Sequence, residues 1–261
     1  MPTLWAGDHG ITPAIRSNLQ RHPHPPISLL PLTMNAALIV AAGRGTRMGG
    51  HVDKVLLEFE GVPVVGHTWR RFEECEAISE IILVVRDGMQ DSFGALGAKM
   101  GFRKPHRFVA GGAERQDSVW NGLGALSPGV DLVAIQDAAR PCTSVDLITR
   151  CLQIAQASGA AVAAQRATDT IKESDGGMVI AKHLDRSRLW SVQTPQCFQL
   201  PVIRRALETV RASGRVLTDD TAACELIGQP VQLVESTDPN PKITTPADLP
   251  LLRALLAQQR D

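Results

Sequence analysis

Short apolar runs alternate along this chain with stretches of helical periodicity. The runs at residues 37–40, 81–85, 132–135 and 160–164 are rich in Ala, Val, Ile and Leu, which is typical of buried strands. Segments at 63–75, 113–126 and 145–157 have apolar residues at helical spacing. This alternation predicts an α/β fold with a mostly parallel sheet flanked by helices on both faces. In such sheets, ligands bind beyond the carboxyl ends of the strands.

A glycine-rich, basic loop follows the first predicted strand. Four glycines between residues 43 and 50 would let backbone N–H groups approach a ligand, and Arg44, Arg47 and Lys54 add positive charge. The loop is not a P-loop, because no Gly-Lys-Ser/Thr closes it, and its G-x-G-x-x-x-G spacing differs from the dinucleotide fingerprint. The pattern favours a polyphosphate site. The alternative is a tight connection without a ligand.

Composition excludes several classes of partner. The chain has 27 basic and 27 acidic residues and a pI near 7.1, so nothing attracts it in bulk to nucleic acid or an anionic membrane. No apolar run approaches the length of a membrane span. The five scattered cysteines contain no C-x-x-C pair, which argues against a disulfide scaffold or a zinc site and favours a reducing, cytoplasmic location.

Two segments lie outside the regular alternation. Residues 1–33 contain six prolines and no apolar signal region, so we expect a disordered extension, with Met34 as a natural start of the domain at 34–261. Between residues 168 and 188, two strand-like pieces flank the turn at residues 175–177 and predict a β-hairpin arm. The arm either pairs with another subunit or stays exposed on one.

Three further motifs contain candidate site residues. The run at 111–119 follows a predicted strand and opens a helix, so Ser118 either contacts a base or belongs to an ordinary helix cap. Asp137 and Arg140 follow the strand beginning at Leu132, where they suit metal and phosphate binding, or an ion pair with each other. Lys242, which we place at the end of a strand, would be stabilised there by an anion.

Covalent acyl chemistry is disfavoured. None of the seven histidines falls in a motif, so neither a Ser-His-Asp nor a Cys-His set is present in the sequence. We therefore expect Cys197 to be a small buried residue, and Trp190 and Phe198 beside it to be core residues. The final helix is predicted from Thr245 as N-cap and from an apolar face of leucines at 249, 252, 255 and 256.

The motifs taken together resemble one enzyme family. In order, they are A-A-G-x-G-x-R-M-G with Lys54, G-G-A-E-R-x-D-S-V, D-A-A-R-P, D-T-I-K, L-W-x-x-Q-T-P-Q, T-D-D and P-K-I-T-T-P-x-D. This set is similar to that of the 2-C-methyl-D-erythritol 4-phosphate cytidylyltransferases of the non-mevalonate isoprenoid pathway, over residues 36 to about 258. The resemblance implies a single Rossmann-like nucleotidyltransferase domain that uses CTP and magnesium and forms a homodimer through the 168–188 arm.

The resemblance also implies roles for individual residues. Arg47, Lys54 and Lys242 match cations that touch the triphosphate or the reacting phosphates. The implied CTP contacts are Ala41, Ala42, Gly43, Gly112, Ala113 and Ser118, and the implied methylerythritol phosphate contacts are Asp137, Arg140, Thr170, Arg186, Thr194 and Thr218. Asp137 is also the implied metal ligand. Thr170 and Arg186 would reach the neighbouring subunit.

Two other functions remain open at this point. A ribitol-5-phosphate cytidylyltransferase would share the fold and the CTP site, although D-A-A-R and D-T-I-K favour methylerythritol phosphate. A catalytically silent nucleotide-binding protein is the alternative from another class, but binding alone would not require every charged motif position. A dinucleotide oxidoreductase is disfavoured by the glycine spacing.

Overall fold

A seven-stranded sheet forms the centre of the protein in a computed structural model, which describes residues 34–43 and 53–258. The predicted extension at 1–33 and the loop cation Arg47 lie outside the described residues. The strands of this sheet are β1 (Met34–Val40), β4 (Glu80–Val85), β5 (His106–Ala110), β6 (Val130–Asp137), β7 (Ala160–Arg166), β10 (Trp190–Gln199) and β11 (Gln232–Glu235). Their order is β11-β7-β10-β6-β1-β4-β5.

The sheet is mostly parallel, as the alternation predicted. Strands β6, β1, β4 and β5 are parallel neighbours, and β11 is parallel to β7. Strand β10 lies between β6 and β7 and is antiparallel to both. The carboxyl ends of the parallel strands β1, β5 and β6 therefore meet at one edge of the sheet, which is where ligands bind in open α/β sheets.

Helices cover both faces of the sheet. One core layer packs α1 (Val64–Glu74), α2 (Gln90–Met100), α4 (Val145–Ser158) and α7 (Leu249–Gln258) against one face. The other layer packs α3 (Arg115–Gly124), α5 (Leu200–Ser213) and α6 (Thr221–Glu225) against the opposite face. Helices α1, α3 and α4 confirm the predicted segments within two residues at each end. The sequence interpretation did not include α2 and α5; α2 buries little more than Phe93 and Gly97.

Glycines let two helices approach their neighbours closely. A Cβ at Gly97 of α2 would lie 2.7 Å from the ring of Trp69, and a Cβ at Gly122 of α3 would lie 2.3 Å from Cδ1 of Leu38. Leu38 is fully buried on β1. Because real Cβ atoms do not approach other atoms so closely, a side chain at either glycine requires the core to shift.

The glycines of α3 provide a matched test of this packing. We expect Gly122→Ala to lower the free energy of unfolding by about 1–3 kcal/mol, since the new methyl group overpacks the core against Leu38. Gly124→Ala on the same helix is the control, because its Cβ would meet nothing within 4 Å. Urea denaturation followed by circular dichroism measures both variants. Equal stability of the two variants would contradict the close packing of α3 on β1.

The predicted arm is a β-hairpin. Strands β8 (Lys172–Ser174) and β9 (Ile180–His183) pair antiparallel in a separate two-stranded sheet, with Gly176 at positive φ in the turn. Most of the arm is exposed, including the apolar side chains of Met178, Val179 and Ile180. A second small hairpin joins β2 (Glu58–Phe59) to β3 (Val62–Pro63).

The start of the last helix has the predicted cap. Thr245 and Asp248 form a capping box around a single 3-10 turn, Pro246–Asp248, and α7 continues from Leu249. Leu252 and Leu256 are buried, and Leu249 and Leu255 pack against the same core. The apolar face predicted for this helix is therefore confirmed.

The side-chain environments near β10 confirm one core prediction and correct another. Phe198 is fully buried. Trp190 is only half-buried, because it lies at the exposed start of β10 under the guanidinium of Arg166, 4.4 Å from the ring centroid. All five cysteines, Cys197 among them, lie in the described part of the chain, where they are buried and form no disulfide bond. In the described part of the chain, no helix is long and apolar enough to cross a membrane.

Candidate active site

A pocket of about 520 Å³ opens at the carboxyl ends of β1, β5 and β6. The sheet order brings these ends together although they lie about a hundred residues apart in the chain. The walls of the pocket are the end of β1 with Lys54, the start of α3, and the end of β6 with Lys242. The lining residues are Val40, Ala41, Ala42, Gly43, Lys54, Val55, Gly112, Ala113, Glu114, Arg115, Ser118, Asp137, Ala138, Ala139 and Lys242. The six residues implied as CTP contacts from Ala41 to Ser118 are all among them, whereas the implied triphosphate cation Arg47 lies outside the described residues.

The loop before α3 needs its two glycines for close packing. A Cβ at Gly111 would lie 2.3 Å from Cβ of Ala42, and one at Gly112 would lie 2.3 Å from Cβ of Asp117. The backbone N–H of Gly112 donates to Oγ of the buried Ser118, at 3.1 Å. The helix cap itself is a capping box between Glu114 and Asp117. Ser118 thus supports the loop that forms the pocket wall, while other residues cap the helix.

A second pocket of about 250 Å³ adjoins the first. Arg115, Asp137 and Lys242 line both pockets, so these three side chains stand where the two meet. The remaining walls come from the middle of β10, from Arg140 and from the segment before α6. They are Arg140, Val192, Gln193, Thr194, Gln196, Thr218 and Asp219.

Asp137 is at the centre of a cluster of positive charges. Its Oδ2 lies 2.6 Å from Nζ of Lys242, its Oδ1 lies 3.4 Å from Nε of Arg115, and Nε of Arg140 is 4.0 Å from Oδ2. Burial raises the pKa of Asp137, but the charges of Arg115, Lys242 and Arg140 outweigh burial and hold that pKa at about 2. The Asp137 carboxylate is therefore ionised throughout the neutral range.

These distances revise the predicted Asp137–Arg140 ion pair. The pair is present, but it is the longest of the three contacts of Asp137. The Nη1 of Arg140 instead donates to the backbone carbonyl of Asn240, at 2.6 Å. Burial lowers the pKa of Arg140 and the charge of Asp137 opposes that effect. Arg140 thus connects the end of β6 to the loop that contains Lys242.

Arg115 is the site residue that the sequence interpretation missed. Its Nη1 donates to Oδ2 of the buried Asp220 at 2.7 Å, and its Nε faces Asp137. Burial lowers the pKa of Arg115, but Asp220 and Asp137 more than offset it and the net shift is upward. Burial also raises the pKa of Asp220, against the charge of Arg115. The sequence contained a signal for this contact, because Arg115 is the arginine of the G-G-A-E-R motif and Asp220 is the last residue of the T-D-D motif.

Two lysines enter the site from loops. The prediction that Lys242 ends a strand was wrong. Lys242 lies in the loop between β11 and the 3-10 turn at Pro246–Asp248. The buried Asn240 anchors that loop by donating to the Thr194 carbonyl at 2.9 Å. Nζ of Lys54 donates to the carbonyl of Ile243 in the same loop, at 3.1 Å. Both lysines line the larger pocket.

Buried thiols do not supply a nucleophile. Burial raises the pKa of Cys197 well above its ordinary value, that of Cys142 to about 11 and that of Cys224 to about 12. A thiol with such a pKa stays protonated near neutrality, whereas nucleophilic cysteines act as thiolates. These three cysteines are therefore not suited to act as nucleophiles.

A comparison with known families identifies the family to which the chain belongs. The sequence profile described as 2-C-methyl-D-erythritol 4-phosphate cytidylyltransferase matches residues 35–258. The chain belongs to that family. It is accordingly a nucleotidyltransferase, and its fold is the one expected from the resemblance.

Individual relatives agree with this assignment. The chain is 41% identical over 222 residues to the 2-C-methyl-D-erythritol 4-phosphate cytidylyltransferase of Pelotomaculum thermopropionicum, covering 85% of this chain and 93% of the relative. It is also 41% identical to that of Geobacillus kaustophilus, over 85% and 97% of the two chains. The crystal structure of a 4-diphosphocytidyl-2C-methyl-D-erythritol synthase from Anaerococcus prevotii superposes with a TM-score of 0.77 at 30% identity, covering 86% and 96%.

The remaining residues implied by the cytidylyltransferase resemblance lie in two places. Thr194 and Thr218 line the smaller pocket, and Oγ1 of Thr194 accepts from the backbone N–H of Asp137 at 3.1 Å. Thr170 and Arg186 line neither pocket, and Arg186 donates to the carbonyl of Thr168 within the arm. Within the described part of one chain, the arm therefore stands apart from the site. Arg47 lies outside the described residues.

Proposed function

We propose that this site transfers a cytidylyl group from CTP to 2-C-methyl-D-erythritol 4-phosphate, giving 4-diphosphocytidyl-2-C-methyl-D-erythritol and pyrophosphate for isoprenoid precursor biosynthesis. The observation that supports the proposal most is the pair of adjoining pockets that share Arg115, Asp137 and Lys242. A transfer between two substrates needs two subsites that meet at the reacting atoms, with positive charge at that point.

The larger pocket suits the nucleotide. It is walled by small residues and backbone at residues 41–43 and 112–113, which leaves room for a flat base, and Lys54 and Lys242 lie at its rim. We assign the base to the α3 side and the triphosphate to the lysine side. Arg47 would add a further cation to the triphosphate.

The smaller pocket suits the phosphate acceptor. It has Arg140 for a phosphate group and the hydroxyls of Thr194 and Thr218 for a polyol chain. An oxygen of the acceptor phosphate forms a bond to the α-phosphorus of CTP, and the bond from that phosphorus to the oxygen bridging to the β-phosphate breaks. The acceptor phosphate is already anionic at neutral pH, so the reaction needs no general base. The site residues orient the substrates and stabilise the charge that develops.

Magnesium is the metal that we assign to the reaction. No group of three or more His, Cys, Asp or Glu side chains that could hold a metal occurs among residues 34–43 and 53–258. The residues still fit magnesium, which is commonly bound by one or two carboxylates together with substrate phosphates. Asp137 is ionised and lines both pockets, so it would be the protein ligand. When bound, the ion would neutralise phosphate charge.

Pyrophosphate release tests the proposed reaction directly. The protein is mixed with CTP, magnesium and either 2-C-methyl-D-erythritol 4-phosphate or ribitol 5-phosphate, and pyrophosphate is measured. We expect release with the first acceptor. Release only with ribitol 5-phosphate would favour the sister cytidylyltransferase, and CTP binding without release for either acceptor would favour a silent nucleotide-binding protein.

A homodimer through the 168–188 arm is part of the proposal. The tip of the arm exposes Val179 and Ile180, with 66% and 65% of their surface accessible, and a second copy would cover them. The same pairing would bring Thr170 and Arg186 to the partner's acceptor pocket. The five cysteines, which form no disulfide bond among the described residues, and the balanced charge support a cytoplasmic location without nucleic acid or membrane partners.

Aspartates at the arm tip test the dimer. We expect Val179→Asp/Ile180→Asp to shift the protein to a monomer in sedimentation equilibrium, because burying two charges in an apolar contact is unfavourable. The rate of pyrophosphate release should fall as the dimer is lost. Leu251→Asp, at an exposed leucine of α7, is the control and should leave the oligomeric state unchanged. A double variant that sediments like the wild type would refute dimerisation through the arm.

A further inference from the structure

We infer that Gln116 is a positioning residue that holds Thr218 in place for the acceptor, an inference that rests on the proposed function of the smaller pocket. Gln116 is the second residue of α3 and occupies the position that the G-G-A-E-R-x-D-S-V motif leaves unspecified. It lines neither pocket. Its effect must therefore pass through the residues that it contacts.

The side-chain amide of Gln116 binds backbone on both sides of Val216. Its Nε2 donates to the carbonyl of Arg215 at 2.8 Å, and its Oε1 accepts from the N–H of Leu217 at 2.9 Å. Within the described structure, residues 215–218 make these two hydrogen bonds. This segment joins α5 to α6 without regular structure, and Val216 and Thr218 are exposed.

The other side of Thr218 is held by groups already in the site. Asp220 is fixed by Arg115 through its carboxylate and by Oε1 of Gln196 through its backbone N–H, at 3.0 Å. Arg115 and Gln116, the first two residues of α3, thus restrain the chain on either side of Thr218: Gln116 holds the backbone before it and Arg115 holds Asp220 after it. Because α3 also begins at the wall of the nucleotide pocket, Gln116 aligns the acceptor pocket with the nucleotide pocket.

Removing the amide should affect one substrate more than the other. We expect Gln116→Ala and the similarly shaped Gln116→Met to raise the KM for 2-C-methyl-D-erythritol 4-phosphate about tenfold, since two hydrogen bonds that order the segment are lost. The KM for CTP and kcat should stay within about threefold, as the side chain of Gln116 does not line the nucleotide pocket. Gln90→Ala is the control, at the first residue of α2, whose side chain makes no hydrogen bond within the described residues.

Trypsin gives a readout that is independent of activity. Gln116 holds the carbonyl of the Arg215–Val216 bond, so both variants should be cut there about tenfold faster than wild type, with the site identified by mass spectrometry. Unchanged cleavage and an unchanged acceptor KM would overturn the inference. Faster cleavage with an unchanged acceptor KM, or equal rises of both KM values, would also overturn it. A wild type that is inactive with this acceptor would refute the proposed function itself, whereas an active wild type beside normal variants refutes only the role of Gln116.

Discussion

Replacing Lys54 with alanine is expected to lower kcat by roughly 10²- to 10³-fold, by analogy with the loss of one preorganised donor at other active sites. Nζ of Lys54 lies at the rim of the nucleotide pocket, where it is held by the carbonyl of Ile243. It would stabilise negative charge on the triphosphate as pyrophosphate leaves. Steady-state pyrophosphate release, with CTP and acceptor both saturating, measures the effect.

A matched lysine separates this effect from a general change in charge. Lys99→Ala removes an exposed cation from the last turn of α2 that lines neither pocket, and should leave kcat unchanged. Both variants should melt close to the wild type in circular dichroism. Near-normal turnover of Lys54→Ala would refute the assignment of Lys54 to the triphosphate.

The second large effect is on stability. Arg115→Met should lower the free energy of unfolding by about 3–5 kcal/mol, because it leaves the carboxylate of Asp220 buried without its partner. Asp220 is 1% exposed and its contact with Arg115 is 2.7 Å long. Urea unfolding measures the change. Arg150→Met is the control. It removes an ion pair whose carboxylate, on Asp146, is 74% exposed and stays hydrated without a partner, so it should cost less than about 1 kcal/mol.

A double variant tests the cause of that instability. Arg115→Met/Asp220→Asn replaces the stranded carboxylate by a neutral amide, so it should be more stable than Arg115→Met alone. A double variant that is less stable than Arg115→Met would show that the loss arises from packing around the guanidinium and not from the unpaired charge.

The fold was predictable from the sequence because its signals are local. Strand runs and helix periods depend on neighbouring residues, and they led to the parallel sheet, to four of the helices (α1, α3, α4 and α7) and to the cap at Thr245. Helix α2 was missed since its local pattern is weak, with Phe93 and Gly97 as its buried residues. The antiparallel placement of β10 between β6 and β7 depends on contacts distant in sequence, so no local pattern indicates it.

The sequence predicted most of the residues in the site, but it did not predict which of their side chains are in contact. Motif order and spacing indicated the family, which the comparisons confirm. They also named Asp137 and Lys242, two of the three residues that the pockets share, but not Arg115. The roles of those residues stay predictions. The proximity of Asp137 to Arg140 in the chain suggested an ion pair between them, but Lys242, which is 105 residues away, is the nearer partner.

By itself, the sequence determined the fold class, the family and the positions of most candidate site residues, since each depends on residue type and spacing along the chain. Only the tertiary structure decided which charges meet. It placed Arg115 between Asp137 and Asp220, and it brought Gln116 to the backbone beside Thr218. These contacts join segments up to about a hundred residues apart, and their energies depend on distance and burial, which the packing of helices on the sheet establishes.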